Sequence, residues 1–202
     1  MQFTTAQTLA LALALAGSAA AAPTEQKPNF DNPLVNRNGT TKLLGYIRGS
    51  DHDAPKINKM GTITDLHASQ AELGSGWGAY MLQKPPQVAA EDFDINNWLC
   101  VIWADTKAFQ TAPKVSASQN PDTVLDQCMA RLQLNPAATV RMGVESEMGG
   151  VATLNVPVEL LNDGFLKIGA QCARLEEGED LDQYPAAQYD HLKNFVDCNK
   201  TA

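Results

Sequence analysis

The chain has 202 residues, 44% of them hydrophobic, with 23 acidic side chains against 15 basic ones and a formal net charge of −8. That length suits one domain with a full core. The acidic balance repels phosphate backbones, so nucleic acid is not an expected partner.

The first 24 residues carry no charged side chain, and residues 9–22 form a Leu/Ala-rich apolar run followed by Pro23. The run is too short to span a bilayer and ends in small residues, which describes a secretory signal peptide over residues 1–21. No later run is long or apolar enough for a transmembrane helix, so a secreted, extracellular protein without a membrane anchor is expected. Residues 22–40 are polar and proline-bearing and read as a flexible leader; a single domain is expected over residues 41–202. Two glycosylation sequons, Asn38-Gly39-Thr40 and Asn199-Lys200-Thr201, flank it.

Within the domain, residues 43–47 read as a strand. Asp53 is placed to cap a short helix that carries Pro55 in its first turn and closes at Gly61. Residues 62–70 read as mostly loop, residues 79–82 as a strand and residues 87–94 as one or two helical turns. Trp98-Leu99-Cys100-Val101-Ile102-Trp103-Ala104 is the clearest strand, apolar on both faces and so expected inside its sheet. Residues 107–120 read as loop. Residues 121–134 predict a helix with Val124, Leu125, Cys128, Met129 and Leu132 on one stripe. Residues 139–144, 151–156 and 166–172 predict strands, and residues 186–197 a terminal helix. Short strands interspersed with short helices favour an α+β domain over a doubly wound sheet.

Four cysteines in an exported chain favour two disulfides, and four cysteines allow three connectivities. The preferred pairing joins the two strand cysteines, Cys100 and Cys172, and the two helix cysteines, Cys128 and Cys198. Similar elements in one layer bring their Cα atoms within bridging range. Zinc is disfavoured, because no C-x-x-C pair occurs. Asp51-His52-Asp53 reads as a polar turn and cap rather than a metal site, His67 and His191 stand alone, and no G-x-S-x-G nucleophile elbow occurs.

One pair of segments points to a chemistry. Gly45-Tyr46-Ile47-Arg48-Gly49-Ser50 is a strand that presents an arginine and turns on a glycine. Leu73-Gly74-Ser75-Gly76-Trp77-Gly78-Ala79-Tyr80 is a glycine-rich turn that feeds a tyrosine into another strand. With the Trp98–Ala104 strand and the later Leu154-Asn155-Val156-Pro157 and Ile168-Gly169-Ala170-Gln171-Cys172 segments, the chain resembles small secreted fungal proteins with an ADP-ribosyltransferase-like domain of the heat-labile enterotoxin A kind. The resemblance implies split antiparallel and mixed sheets around a groove for NAD. It implies that Arg48, with Gly49 and Ser50, orients the dinucleotide and that Tyr80 packs on nicotinamide. Trp77 would flank the groove. Glu147, with Glu145 two residues before it, would grip the ribose as an oxocarbenium-like transition state forms.

The chain also departs from that pattern. No serine-threonine-serine motif follows the glycine turn, and Ala152, Thr153 and Asn155 stand on the closing strand where a carboxylate would fall. Three readings stay open. The first is a degenerate transferase fold that binds NAD or acts as an extracellular effector. The second is an active mono-ADP-ribosyltransferase or NAD glycohydrolase with a protein or small-molecule acceptor. The third is a non-enzymatic secreted binding protein.

Overall fold

The computed structural model describes residues 40–64, 78–87, 97–118, 121–145, 151–189 and 194–200. The signal run, the leader with Asn38, the glycine-rich turn through Trp77, Glu147, His67 and His191 lie outside the described residues. The elements in order are β1 (Thr41–Gly49), α1 (Ala54–Met60), β2 (Gly78–Leu82), β3 (Trp98–Asp105), α2 (Thr106–Thr111) and β4 (Lys114–Ala117), then α3 (Pro121–Arg131), β5 (Val140–Glu145), β6 (Val151–Pro157), α4 (Val158–Asn162), β7 (Gly169–Arg174) and β8 (Val196–Asp197). The domain is α+β, as its irregular alternation of elements predicts.

All eight strands join one mixed sheet in the order β7-β3-β1-β2-β6-β5-β4-β8. Among the described strands only β4 pairs in parallel, with β5 and β8. The expected split into separate sheets is therefore not present, but the sheet comes close to it. β1 pairs with β3 over eight registered positions, whereas β1 and β2 meet at the single rung Tyr46↔Leu82. A three-stranded leaf and a five-stranded leaf thus share one narrow seam. β3 is an interior strand, as its two apolar faces predict, and Leu99, Cys100 and Ile102 are fully buried.

Gly45 makes the seam. The β1–β3 register shifts between Leu43 and Gly45, and Gly45 takes φ 152°. A Cβ there would lie 2.6 Å from the Leu82 carbonyl and 2.9 Å from the Met81 Cβ. Only glycine lets the two leaves approach this closely.

The segment 184–189 crosses the seam in extended form. The Tyr46 hydroxyl donates to the Pro185 carbonyl (2.6 Å) and the Tyr189 hydroxyl to the Leu44 carbonyl (2.6 Å). Ala187 N–H donates to the Gln83 carbonyl (2.8 Å), and the Gln83 amide donates back to Ala187 (3.0 Å). This corrects the predicted terminal helix over residues 186–197. Residues 184–189 run without helix and Val196–Asp197 form the two-residue β8, while residues 190–193 lie outside the described residues. Residues 107–120 are also corrected, because they hold α2 and β4 rather than loop. Asp105 caps α2 by accepting from Ala108 N–H (2.8 Å). Lys114, 3% exposed, donates to the carbonyls of Phe109, Gln110 and Ala112 at the helix's other end. The predicted 166–172 strand starts later, at Gly169, after a turn in which Lys167 has φ 48°. α1 closes at a left-handed Gly61 as predicted, although the Asp53 side chain makes no cap bond. α3 stops at Arg131, and Leu132 beyond it is exposed.

The disulfides pair as expected, Cys100 with Cys172 and Cys128 with Cys198. Cys100 and Cys172 face each other directly across β3 and β7. The second bond has a different basis from the one expected. Cys128 is on α3, but Cys198 follows β8, and their Cα atoms lie 5.6 Å apart. Each bond closes a loop of about 70 residues. Such loops contribute on the order of 4 kcal/mol each in the chain-entropy account.

The outer edge of β7 is closed by α1. The Asn58 amide donates to the Cys172 carbonyl (2.9 Å), and its oxygen accepts from Cys172 N–H (2.7 Å). One side chain thereby supplies the rung that a ninth strand would supply. Substituting Asn58→Ala leaves both groups without that partner and is expected to cost about 1–3 kcal/mol in urea unfolding, with a lowered midpoint. Gly45→Ala forces a Cβ into the Leu82 carbonyl and is expected to cost about 2–3 kcal/mol. The same assay checks it, and an unchanged midpoint would show that the seam tolerates a wider separation.

Candidate functional site

The sequence points to Arg48 and Tyr80, and the structure places them on either side of the seam. Extending the Tyr46↔Leu82 register by two residues sets Arg48 level with Tyr80. The two residues therefore belong to one row of the sheet, although β1 and β2 no longer pair there.

Arg48 is half-buried and engaged. Its Nε and Nη2 both donate to the Pro86 carbonyl, at 3.1 and 2.6 Å. The fork that would hold a pyrophosphate is thus turned onto the backbone of the Lys84-Pro85-Pro86 turn. Burial lowers the Arg48 pKa, and the nearby Tyr184 opposes that shift. The two carboxylates nearest to Arg48 in sequence are engaged elsewhere. Asp51 accepts from the Trp98 indole (2.6 Å), and Asp53 accepts from the Ser50 hydroxyl (3.0 Å).

Gly49 and Ser50 have local structural work. A Cβ on Gly49 would sit 3.2 Å from the Cys100 sulfur, so the glycine makes room for the disulfide under β1. The Ser50 hydroxyl accepts from the backbone N–H groups of His52 and Asp53 and turns the chain into α1.

Tyr80 packs on the second, smaller core, beside Leu125, Cys128, Met129 and Cys198. The rungs Tyr80↔Asn155 and Asn155↔Arg141 continue its row inward to two fully buried polar residues. Arg141 donates to the Pro136 carbonyl (2.8 Å). Burial lowers its pKa, opposed by Asp126 and Tyr80. The Asn155 amide lies against Gly78, where a Cβ would clash with it, and neither of its polar atoms has a hydrogen-bond partner among the described residues. Sequence reasoning treats Asn155 only as a missing carboxylate and passes over Arg141. The available signal is a polar residue recurring inside otherwise apolar strand runs. Arg141 and Asn155 are closed to solvent, whereas Tyr80 at the head of the row is half-buried.

Glu145 does not join Arg48 and Tyr80. It ends β5 opposite Val151, four residues beyond Arg141 in the Tyr80 row. At a strand rise near 3.3 Å per residue that offset is about 13 Å along the strand. The glycine-rich turn precedes the Gly78 end of β2, which pairs with Pro157, whereas Glu145 and Val151 lie at the other end of the β5–β6 pair.

The described fold and this geometry define a disulfide-braced α+β domain around a stitched seam. Residues 72–197 match DUF5910, a family of unknown function. The match spans more than half of the chain, and the chain belongs to that family. It takes in Tyr80, Asn155, Arg141, Cys100, Cys128 and Cys172, stops one residue short of Cys198, and leaves out β1, and with it Arg48, Gly49 and Ser50. No curated protein matches the chain.

Three phenols gather at the seam. Burial raises the pKa values of Tyr46, Tyr184 and Tyr189 above the ordinary 10.0, and at Tyr184 the hydrogen bond to Glu179 adds to the effect. Each phenol holds its proton more tightly folded than unfolded. Their contribution is therefore complete below pH 10.0 and is lost as pH climbs above it. Lys114 acts with the opposite sign. Burial pushes it down to about 8 from 10.5, so stability gains between those values as the unfolded chain holds the extra proton. Unfolding free energy is expected to rise slightly from pH 8 and then fall above pH 10. Tyrosinate absorbance should appear together with loss of structure. Ionisation of all the tyrosines at an ordinary pH, with structure intact, would contradict the buried seam.

Proposed function

We propose that this chain is a secreted protein that acts outside the producing cell by binding a partner, and that it does not turn over NAD. The observation that carries the reading is the Arg48 fork, whose Nε and Nη2 converge on the Pro86 carbonyl. A transferase of the kind the sequence resembles needs those donors for the dinucleotide. The 13 Å offset of Glu145 along β5 supports the same reading. Two disulfides support export, because such bonds persist in oxidising compartments. Among the described residues no helix is long and apolar enough to cross a membrane. In this reading the ADP-ribosyltransferase-like resemblance reflects a degenerate fold whose arginine has become part of the seam.

One observation favours a second reading, an active transferase or NAD glycohydrolase. The register sets Arg48 level with Tyr80, the relation a dinucleotide groove would use. The two readings separate in one assay. The disulfide-intact protein is incubated with NAD and nicotinamide release is followed, beside Arg48→Ala and Glu147→Ala. No release above buffer is expected from any of the three. Release by the unsubstituted protein that both substitutions abolish would establish the enzymatic reading instead.

A further inference from the structure

The described residues also hold an open cleft of about 730 Å³ at the far end of β1, and its lining includes Phe165, Lys167, Lys107, Asp105, Gln110 and Thr111. Thr41 of β1 pairs with Asp105, so the cleft begins seven residues from Arg48, about 23 Å along the strand. NAD chemistry at Arg48 and binding at this cleft therefore stand or fall separately.

Its surface is unusual for this protein. Phe165 is 46% exposed and is the one aromatic among the exposed large hydrophobic residues of the described set. The turn that presents it is fixed. Asp163 Oδ1 accepts from Phe165 N–H (2.7 Å), Lys167 N–H donates to the Gly164 carbonyl (3.2 Å), and the fully buried Leu166 accepts from Asp105 N–H (3.0 Å). The ring is thus held outward at little cost in ordering on binding. Charge is the second feature. Lys107 is exposed, and the Lys167 side chain is 73% exposed. Asp105 is the cleft's one carboxylate, and it is committed to the α2 cap and to Lys167 at 3.8 Å. A chain of net charge −8 thus turns two ammonium groups and a flat ring toward one hollow. A volume of this size lies within the range of small-molecule sites.

We infer that this cleft binds an acidic saccharide, a pyranose chain bearing carboxylates. The apolar face of a pyranose lies on Phe165, the carboxylate pairs with Lys107 and Lys167, and the Gln110 amide takes ring hydroxyls. A neutral sugar brings no counter-charge to Lys107 and leaves Lys167 with Asp105 alone. A nucleotide supplies a ring and an anion but few hydroxyls for Gln110.

The test is calorimetric titration of the disulfide-intact chain with trigalacturonate, with maltotriose and ADP as parallel ligands. Saturable binding of trigalacturonate that weakens as salt is added is expected, with no binding of maltotriose and weaker binding of ADP. Phe165→Ala and Lys107→Ala are each expected to weaken binding about tenfold. Lys167→Gly should do the same; glycine is suited to φ 48°, and an unchanged urea midpoint measured on the same variant shows that the fold is kept. No binding of trigalacturonate, equal binding of maltotriose, tighter binding of ADP, or unchanged affinity in Lys167→Gly would each overturn the proposal.

Discussion

The single rung between Tyr46 and Leu82 is the constraint on which the rest of this fold depends. One backbone pairing is weak support for an eight-stranded sheet, and the chain reinforces it from outside the ladder. The strap over residues 184–189 bonds β1 through Tyr46 and Leu44 and bonds the end of β2 through Gln83. Arg48 adds a further tie, from β1 to Pro86. The residues that look most like ligand-binding groups in the sequence sit where the two leaves most need joining.

That explains what was legible in the sequence and what was not. β3 was readable because its apolar run is local information. The helix closed by Gly61 and the β5 and β6 strands were readable for the same reason. The disulfide pairing followed from the kinds of element involved, although Cys198 reaches Cys128 from a strap and a short strand instead of a helix. The terminal segment misled because Tyr189, an inward residue of the expected helix, is buried instead by packing across a seam that only the tertiary structure creates. The α2–β4 region misled because its polar composition hides Lys114, whose stem is buried and whose ammonium closes a helix. Arg48 was legible as a candidate, but its partner is a carbonyl 38 residues away, which no local pattern announces.

The polar residues of the molecule divide by what surrounds them. Arg141, Asn155 and Thr153 are enclosed beneath α3, and Arg48 is half-enclosed against Pro86. Phe165, Lys107 and Lys167 instead face outward from a rigid turn and a short helix. Recognition is better served by the second group, because its groups lose less hydration and less freedom when a partner arrives.

The bond between Cys128 and Cys198 has a consequence for resistance to proteolysis. Residues 176–178 form an exposed acidic stretch between β7 and the strap, the kind of segment a protease reaches first. A cut there would separate the strap from the rest of the sheet in sequence but not in covalent structure, because the fragment carrying Cys198 stays tied to α3. The nicked molecule would keep its seam closed and would travel as one species until a reductant parted the two pieces.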